Sequence, residues 1–340
     1  MKNKINYLLV IVLLLSSQGV IASEALLEFL ESFSRDVRNV YVVEDKIPAI
    51  LQELKLVSSL VKQQKITSKQ ALAKTLSDRL SALDKHFQVT IYLPTPKPTD
   101  SDSKKLHESY WQKLERKKSG IQKIELLAGN VGYVNLIGFD KVNARSRQRV
   151  ANAMGYLKGI DTLIMDLREN SGGSPDMVAL IAGYFFAKEM PLSSIYNREE
   201  DDFIRFETQT IRRKHRLERV QLLLLTSEHS FSAAEAFSYD LQQYGRATVI
   251  GEKTGGGANP IRFYQYPQGF EVALPYAMAV NPITKSNWEG VGVTPDIQVK
   301  ANLAFEKAYC LALLSNQNNV KNPHLAEEIK TAALAKSCTK

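Results

Sequence analysis

The chain has 340 residues, 44% of them hydrophobic, a formal charge of +8 and two cysteines. That length can bury a large core and more than one domain. The basic residues are scattered, with short runs at Arg116–Lys118 and Arg212–His215 and no interleaved aromatic platforms, which argues against nucleic acid as a partner.

The N-terminus reads as a targeting segment. Met1-Lys-Asn-Lys4 precedes an apolar run from Tyr7 to Leu15, and Val20-Ile21-Ala22 fits the small-residue rule for cleavage before Ser23. Residues 1–22 are thus expected to be a secretory signal peptide, with no cysteine near the cleavage point for a lipid anchor. The expected location is the periplasm, reached across a bacterial inner membrane. Loss of Lys2 and Lys4 lowers the charge from +8 to +6. No later stretch reaches the ~18 apolar residues of a membrane span, so no stable membrane insertion is expected.

Residues 23–88 carry helical spacing: Leu26, Phe29, Leu30, Phe33 and Val37, then Ile50, Leu51, Leu54, Val57 and Val61, then a segment from Lys69 to Leu83. They are expected to form an N-terminal helical domain. Residues 89–120 follow as a short strand at Val89–Leu93, a Pro/Ser/Asp-rich loop and a polar connector.

Residues 121–300 have the texture of an α/β core. Ile124–Leu127 and Val131–Leu136 flank Gly129-Asn130, a hairpin signal. Helices are expected over 146–160 and 176–186, separated by a buried strand at Thr162–Leu167 whose exit reads Arg168-Glu-Asn-Ser-Gly-Gly173. Leu222–Leu225, a helix from Ser232 to Gly245 and Ala247–Gly251 make a crossover unit of a parallel sheet. Short strands are expected within 195–210 and at 262–266, 270–274 and 278–280, with a last strand around Ile297. Residues 301–340 read as a helical tail holding Cys310 and Cys338. In an oxidising compartment these two could pin the tail, and neither has metal-ligand or CxxC spacing.

The crossover unit puts Ser232 just past the C-terminal end of a buried strand, where open α/β sheets bind ligands. Two readings compete there. Ser232 with Glu235 three residues on is a capping box, and Ser232 is equally a nucleophile at a helix start whose free N–H groups can hold an oxyanion. A serine nucleophile needs a base, and the base needs an orienting group. Of the five histidines, His107, His215 and His324 read as surface residues. His229, three residues before Ser232, is the nearest competitor for the base, though residues so close in a tight turn rarely face each other with room for a substrate. His86 is unremarkable by spacing alone. Gly172-Gly173 leaves a strand at a helix start with free amides, so it and Ala233 could converge on one oxygen.

With these residues identified, the chain resembles the tail-specific, or C-terminal-processing, serine peptidases, in the branch of the tricorn core protease and the interphotoreceptor retinoid-binding protein. The resemblance spans roughly residues 82–300 and rests on ALDKHFQV (82–89), LIMDLRENSGG (163–173), SFSAAEAF (230–237) with GEKTGGGANP (251–260), and NWEGVGVTPDI (287–297). It implies an α/β fold with a crotonase-like ββα superhelix core behind the helical domain. It makes Ser232 the nucleophile, His86 the base and Glu289 its orienting carboxylate. Ala233 and Gly172 become the oxyanion donors, with Gly173 supporting the turn. The position of the lysine base in another branch of the family is Gly257 here, and Lys253 comes four residues too early. Lys85 stands where the tricorn enzyme has a serine. No stretch suits the PDZ domain of many relatives. The implied activity is that of a periplasmic serine endopeptidase acting on protein or peptide through an acyl-enzyme, needing neither metal nor cofactor. The rival is a non-catalytic binder of an apolar small molecule or peptide on the same fold. Oligomeric state is not written in the sequence.

Overall fold

The computed structural model describes residues 23–92, 109–318 and 320–338. The expected signal peptide and most of the Pro-rich loop lie outside the described residues. In chain order the chain forms helices α1 (23–39), α2 (Ile47–Lys62) and α3 (Lys69–Leu80), strand β1 (Gln88–Ile91) and helix α4 (Tyr110–Arg116). Then come β2 (Ile121–Leu127), β3 (Val131–Leu136), α5 (Ala144–Tyr156), β4 (Thr162–Asp166), α6 (Pro175–Ala182), β5 (Ser194–Asn197) and β6 (Asp202–Ile204). They are followed by β7 (Gln221–Thr226), α7 (Ala233–Gln243), β8 (Ala247–Gly251), β9 (Ile261–Tyr266), β10 (Phe270–Pro275), β11 (Ala277–Val280), β12 (Ile297–Gln298), α8 (Ala301–Gln317) and α9 (Pro323–Ala335).

The chain divides into two compact units. The first combines the described residues up to 92 with Tyr196–Phe203 and Asn259–Met278. Helices α1 to α3 bury the apolar stripes read from the sequence: Phe29, Phe33, Val37, Ile50, Val57, Leu72, Leu76 and Leu80 are almost wholly inaccessible. Ser68 caps α3 by accepting from the Ala71 N–H at 3.2 Å. The stripes pack on a three-stranded antiparallel sheet of order β1-β10-β9. Phe29 stacks on Phe270 with centroids 4.0 Å apart. The β9–β10 hairpin therefore belongs with the N-terminal helices, although it lies within the 121–300 segment that the sequence assigns to the α/β core.

The second unit is a mixed sheet with helices on both faces. Its order is β12-β8-β7-β4-β3-β2, parallel throughout except for the β2–β3 hairpin. The hairpin turns at Gly129-Asn130, both with positive φ, as the sequence signal requires. Strands buried on both faces carry apolar residues at every position, and the two-residue period sorts them. Leu163, Met165, Leu222, Leu224 and Val249 face the core shared with α5, α6 and α7. Ile164, Leu223, Leu225 and Ile250 face α8 and α9. The sheet's parallel order makes the exits of β4 and β7 neighbours, which is what positions the site below.

Cys310 and Cys338 are joined in a disulfide that closes a sequence separation of 28 residues and ties α8 to the end of α9. A loop of that length removes about 3–4 kcal/mol of unfolded-chain entropy. Cys338→Ser is expected to lower the melting temperature by several degrees, measured by calorimetry, and added reductant should bring the wild type down to the same value.

Candidate active site

The turn after β7 carries the serine. Ser230 turns its hydroxyl back to the Leu167 carbonyl at 2.8 Å, and the Ser227 hydroxyl reaches the Arg168 carbonyl at 2.5 Å. These bonds fasten the β7 exit to the β4 exit. Asn170, fully buried, completes the link: its carbonyl accepts from the Phe231 N–H at 3.0 Å, and its side-chain amide donates to the Leu136 carbonyl at 2.9 Å. Ser232 then takes φ +53° and ψ −117° before α7 begins at Ala233. An ordinary N-cap sits in the extended region, and a non-glycine residue here stores roughly 1–3 kcal/mol of strain.

That strain is opposed by one buried carboxylate. Glu235 is wholly inaccessible and accepts from four donors. They are the Ser232 N–H at 2.8 Å, the Thr254 hydroxyl at 2.6 Å, the Gly256 N–H at 2.7 Å and the Gly257 N–H at 2.9 Å. Burial pushes its pKa up, and the four donors work against that rise. The capping box is thus real in its acidic half, while the Glu235 N–H meets the Ser232 carbonyl at 2.9 Å. Glu235 is a fastener between the serine turn and the Gly255–Gly257 loop, a role the sequence reading saw only as a cap.

Gly172 and Gly173 have φ of +103° and +137°. A Cβ on Gly172 would lie 2.8 Å from the Ser232 Cβ and 3.1 Å from the Ala233 nitrogen, so only glycine lets the two turns close on each other. The Tyr110 hydroxyl and the Phe139 N–H both donate to the Gly172 carbonyl at 2.8 Å. The Gly172 N–H is itself taken by the Asn170 side chain at 2.9 Å. No acceptor among the described residues takes the Gly173 or Ala233 N–H. Uncommitted amides in the two turns that meet at a constrained serine are what an acyl-transfer site needs for a developing oxyanion.

Glu289 lies in the same unit, in the turn that follows β11. Its own N–H donates to Asn287 at 2.9 Å and its carboxylate accepts from the Ala258 N–H at 2.8 Å. The buried Trp288 indole donates to the Gly257 carbonyl at 3.0 Å, and the Gly290 N–H to the Gly256 carbonyl at 2.9 Å. The 287–290 turn is therefore stitched to the loop that Glu235 holds. Lys253 is exposed, and Gly257 is buried with its amide committed to Glu235.

His86 belongs to the first unit, between α3 and β1. Its Nδ1 is 2.8 Å from Asp84 Oδ1, the same oxygen that accepts its backbone N–H at 2.9 Å. The Tyr41 hydroxyl donates to Asp84 Oδ2 at 2.6 Å. Burial alone would raise the Asp84 pKa, but the bonds from His86 and Tyr41 prevail and hold it at about 2. Asp84 stands at an Asp-x-His spacing that is visible in the sequence but is not marked as functional by local pattern. His215, His229 and His324 are exposed, and His107 lies outside the described residues.

Both carboxylates bear on stability. Glu235→Ala strands four donors and is expected to cost about 3 kcal/mol or more in chemical denaturation. Asp84 has a depressed folded pKa, so its contribution is present above the unfolded value near 3.8 and lost as pH falls through about 2. The stability gap between wild type and Asp84→Asn should therefore be full above pH ~5 and close toward pH ~2 in an acid titration followed by circular dichroism.

The chain is similar to known proteins. The profile of Peptidase family S41 matches residues 130–299, half of the chain. A "Carboxy-terminal-processing protease" of Bartonella bacilliformis is 26% identical over 178 residues, covering 52% of this chain and 40% of that protein. The chain thus spans less than half the length of that relative. Among solved structures, mature CPAF aligns with a TM-score of 0.63 at 12% identity, over 89% of this chain and 99% of that one. The photosystem II D1 C-terminal processing protease aligns with a TM-score of 0.55 at 14% identity, over 82% and 94%. These two establish likeness of fold. The profile match carries the assignment, and the chain belongs to Peptidase family S41.

Proposed function

We propose that the protein is a serine endopeptidase of the periplasm. Ser232 is the nucleophile, His86 the base that takes its proton, and Glu289 a carboxylate of the triad. The attacked carbonyl becomes a tetrahedral oxyanion, the leaving amine takes the proton from His86, and water releases the acyl group by the reverse sequence. The observation that carries this reading is the conformation of Ser232: a strained residue at a helix start, locked by Glu235, with Gly172 packed against it. A serine whose task is capping needs none of that.

In this proposal Ala233 is one oxyanion donor, as expected from the sequence; the absence of an acceptor for its N–H among the described residues supports that. The Gly172 amide is committed to Asn170, so the second donor in this proposal is Gly173, and Gly172 is the residue that permits the close approach. A protein or peptide substrate is supported by the family and by the name of the Bartonella relative. No helix among the described residues is long and apolar enough to cross a membrane. The Cys310–Cys338 disulfide fits an oxidising compartment such as the periplasm.

The test is cleavage of a reduced, unfolded protein, followed by mass spectrometry of the new termini. Wild type should produce discrete internal cuts. Ser232→Ala and His86→Ala should each lower the rate by about 1,000-fold or more, with circular dichroism showing both variants folded at the assay temperature. Cleavage that survives Ser232→Ala would remove the serine from the mechanism.

A further inference from the structure

The first unit contains a three-residue arrangement with a consequence for the tautomer of His86. Asp84 is 5% exposed, and its oxygens are divided between two tasks. Oδ2 accepts from Tyr41, a fully buried side chain, and Oδ1 accepts from both the backbone and the ring of His86. An ionised carboxylate can only accept. The proton in the 2.8 Å contact therefore sits on Nδ1 of His86. A neutral imidazole has a single N–H, so its lone pair is then on Nε2, the nitrogen that can receive a proton.

We propose that Asp84 is the positioning residue of the His86 base, fixing the imidazole through Nδ1 so that Nε2 accepts the serine proton, with Tyr41 anchoring Asp84 from the opposite side. This rests on the peptidase reading of His86. It gives to Asp84 the orienting job that the resemblance gives to Glu289. The balance is simple: the Oγ–H bond of Ser232 breaks, the proton forms the Nε2–H bond, and the resulting imidazolium is stabilised by the Asp84 charge at Nδ1. Asp84 keeps no proton at any step. Its short backbone tether, two residues before His86, holds the ring with little freedom to turn.

The placement is economical in sequence. Asp84 closes an Asx-type turn on the His86 N–H at the junction of α3 and β1. Tyr41 comes from the turn after α1, so the carboxylate is gripped by a side chain 43 residues away. Loss of Tyr41's hydroxyl leaves the turn intact but loosens the carboxylate.

The experiment uses full-length mature protein with 15N-labelled histidine and a fluorophosphonate probe. Wild type should show a downfield Nδ1 proton that is absent in His86→Gln. Asp84→Asn should move that signal upfield, because the amide oxygen that replaces Oδ1 still takes the backbone and ring N–H groups of His86 but accepts more weakly than a carboxylate. Its maximal rate of phosphonylation should fall by about 100-fold or more at an unchanged probe affinity. Tyr41→Phe should shift the signal and slow phosphonylation by less than about 10-fold. It also decides the matter if Asp84→Asn fails to fold, since an unmoved signal and rate in Tyr41→Phe would overturn the proposal.

Other results overturn it as clearly. A wild-type spectrum without the Nδ1 signal would do so. So would Asp84→Asn that leaves the signal unmoved, especially if Glu289→Gln loses it, because Glu289 would then fix the tautomer. Failure of the underlying reading looks different: His86→Gln would label as fast as wild type, whatever Asp84 does. A dead His86→Gln beside a normal Asp84→Asn would reject the positioning role alone.

Discussion

The site depends on the buried carboxylate of Glu235. A carboxylate removed from water must be met by donors, and these four come from the serine turn and from the loop after β8. Each donor would be stranded without it, so the two segments can only be buried together. Ser232 keeps its unfavourable φ because its own N–H is one of those donors. Thr254 extends the tie by accepting from the Val293 N–H at 2.6 Å, bringing in the segment after Glu289. The geometry of Ser232 is therefore over-determined by backbone donors, not by the packing of its short side chain.

The same logic holds on the neighbouring strand. Asn170 spends its side-chain oxygen on the Gly172 amide, its side-chain nitrogen on Leu136 and its carbonyl on Phe231. Three adjacent segments are fixed by one residue. The glycines then let the turns approach to a distance that any side chain would prevent. A parallel sheet makes this possible, since it brings the exits of β4 and β7 to one edge. At the other end of α7, buried Asp240 accepts from the Ser193 N–H at 2.9 Å and from the Asn281 amide at 2.8 Å, so the helix is held at both ends.

Much of this could be read from the residues. Apolar runs of strand length, Gly129-Asn130 and the Ser232–Gly245 helix signal determine the order of the second unit, because local pattern and chain connectivity agree there. The placement of Ser232 and of Gly172-Gly173 at strand exits was legible for the same reason. What was hidden depends on contacts distant in sequence. The β9–β10 hairpin has ordinary strand patterning, and nothing local says that Phe270 stacks on Phe29. Glu235 looks like a capping residue until Gly256 and Gly257 are seen to donate to it. The Gly172 amide looks free until Asn170 is seen to use it. Asp84 could have been found from its spacing to His86, but Tyr41 could not.

The central claim is that one constrained serine is the reactive group, and locating a covalent adduct tests it most directly. Folded wild-type protein would be treated with a fluorophosphonate, digested and sequenced by tandem mass spectrometry. The account predicts a single adduct on the peptide spanning Ser230 and Ser232, with fragment ions assigning it to Ser232. An adduct on Ser230 or another serine, or none on folded protein at saturating reagent, would contradict it.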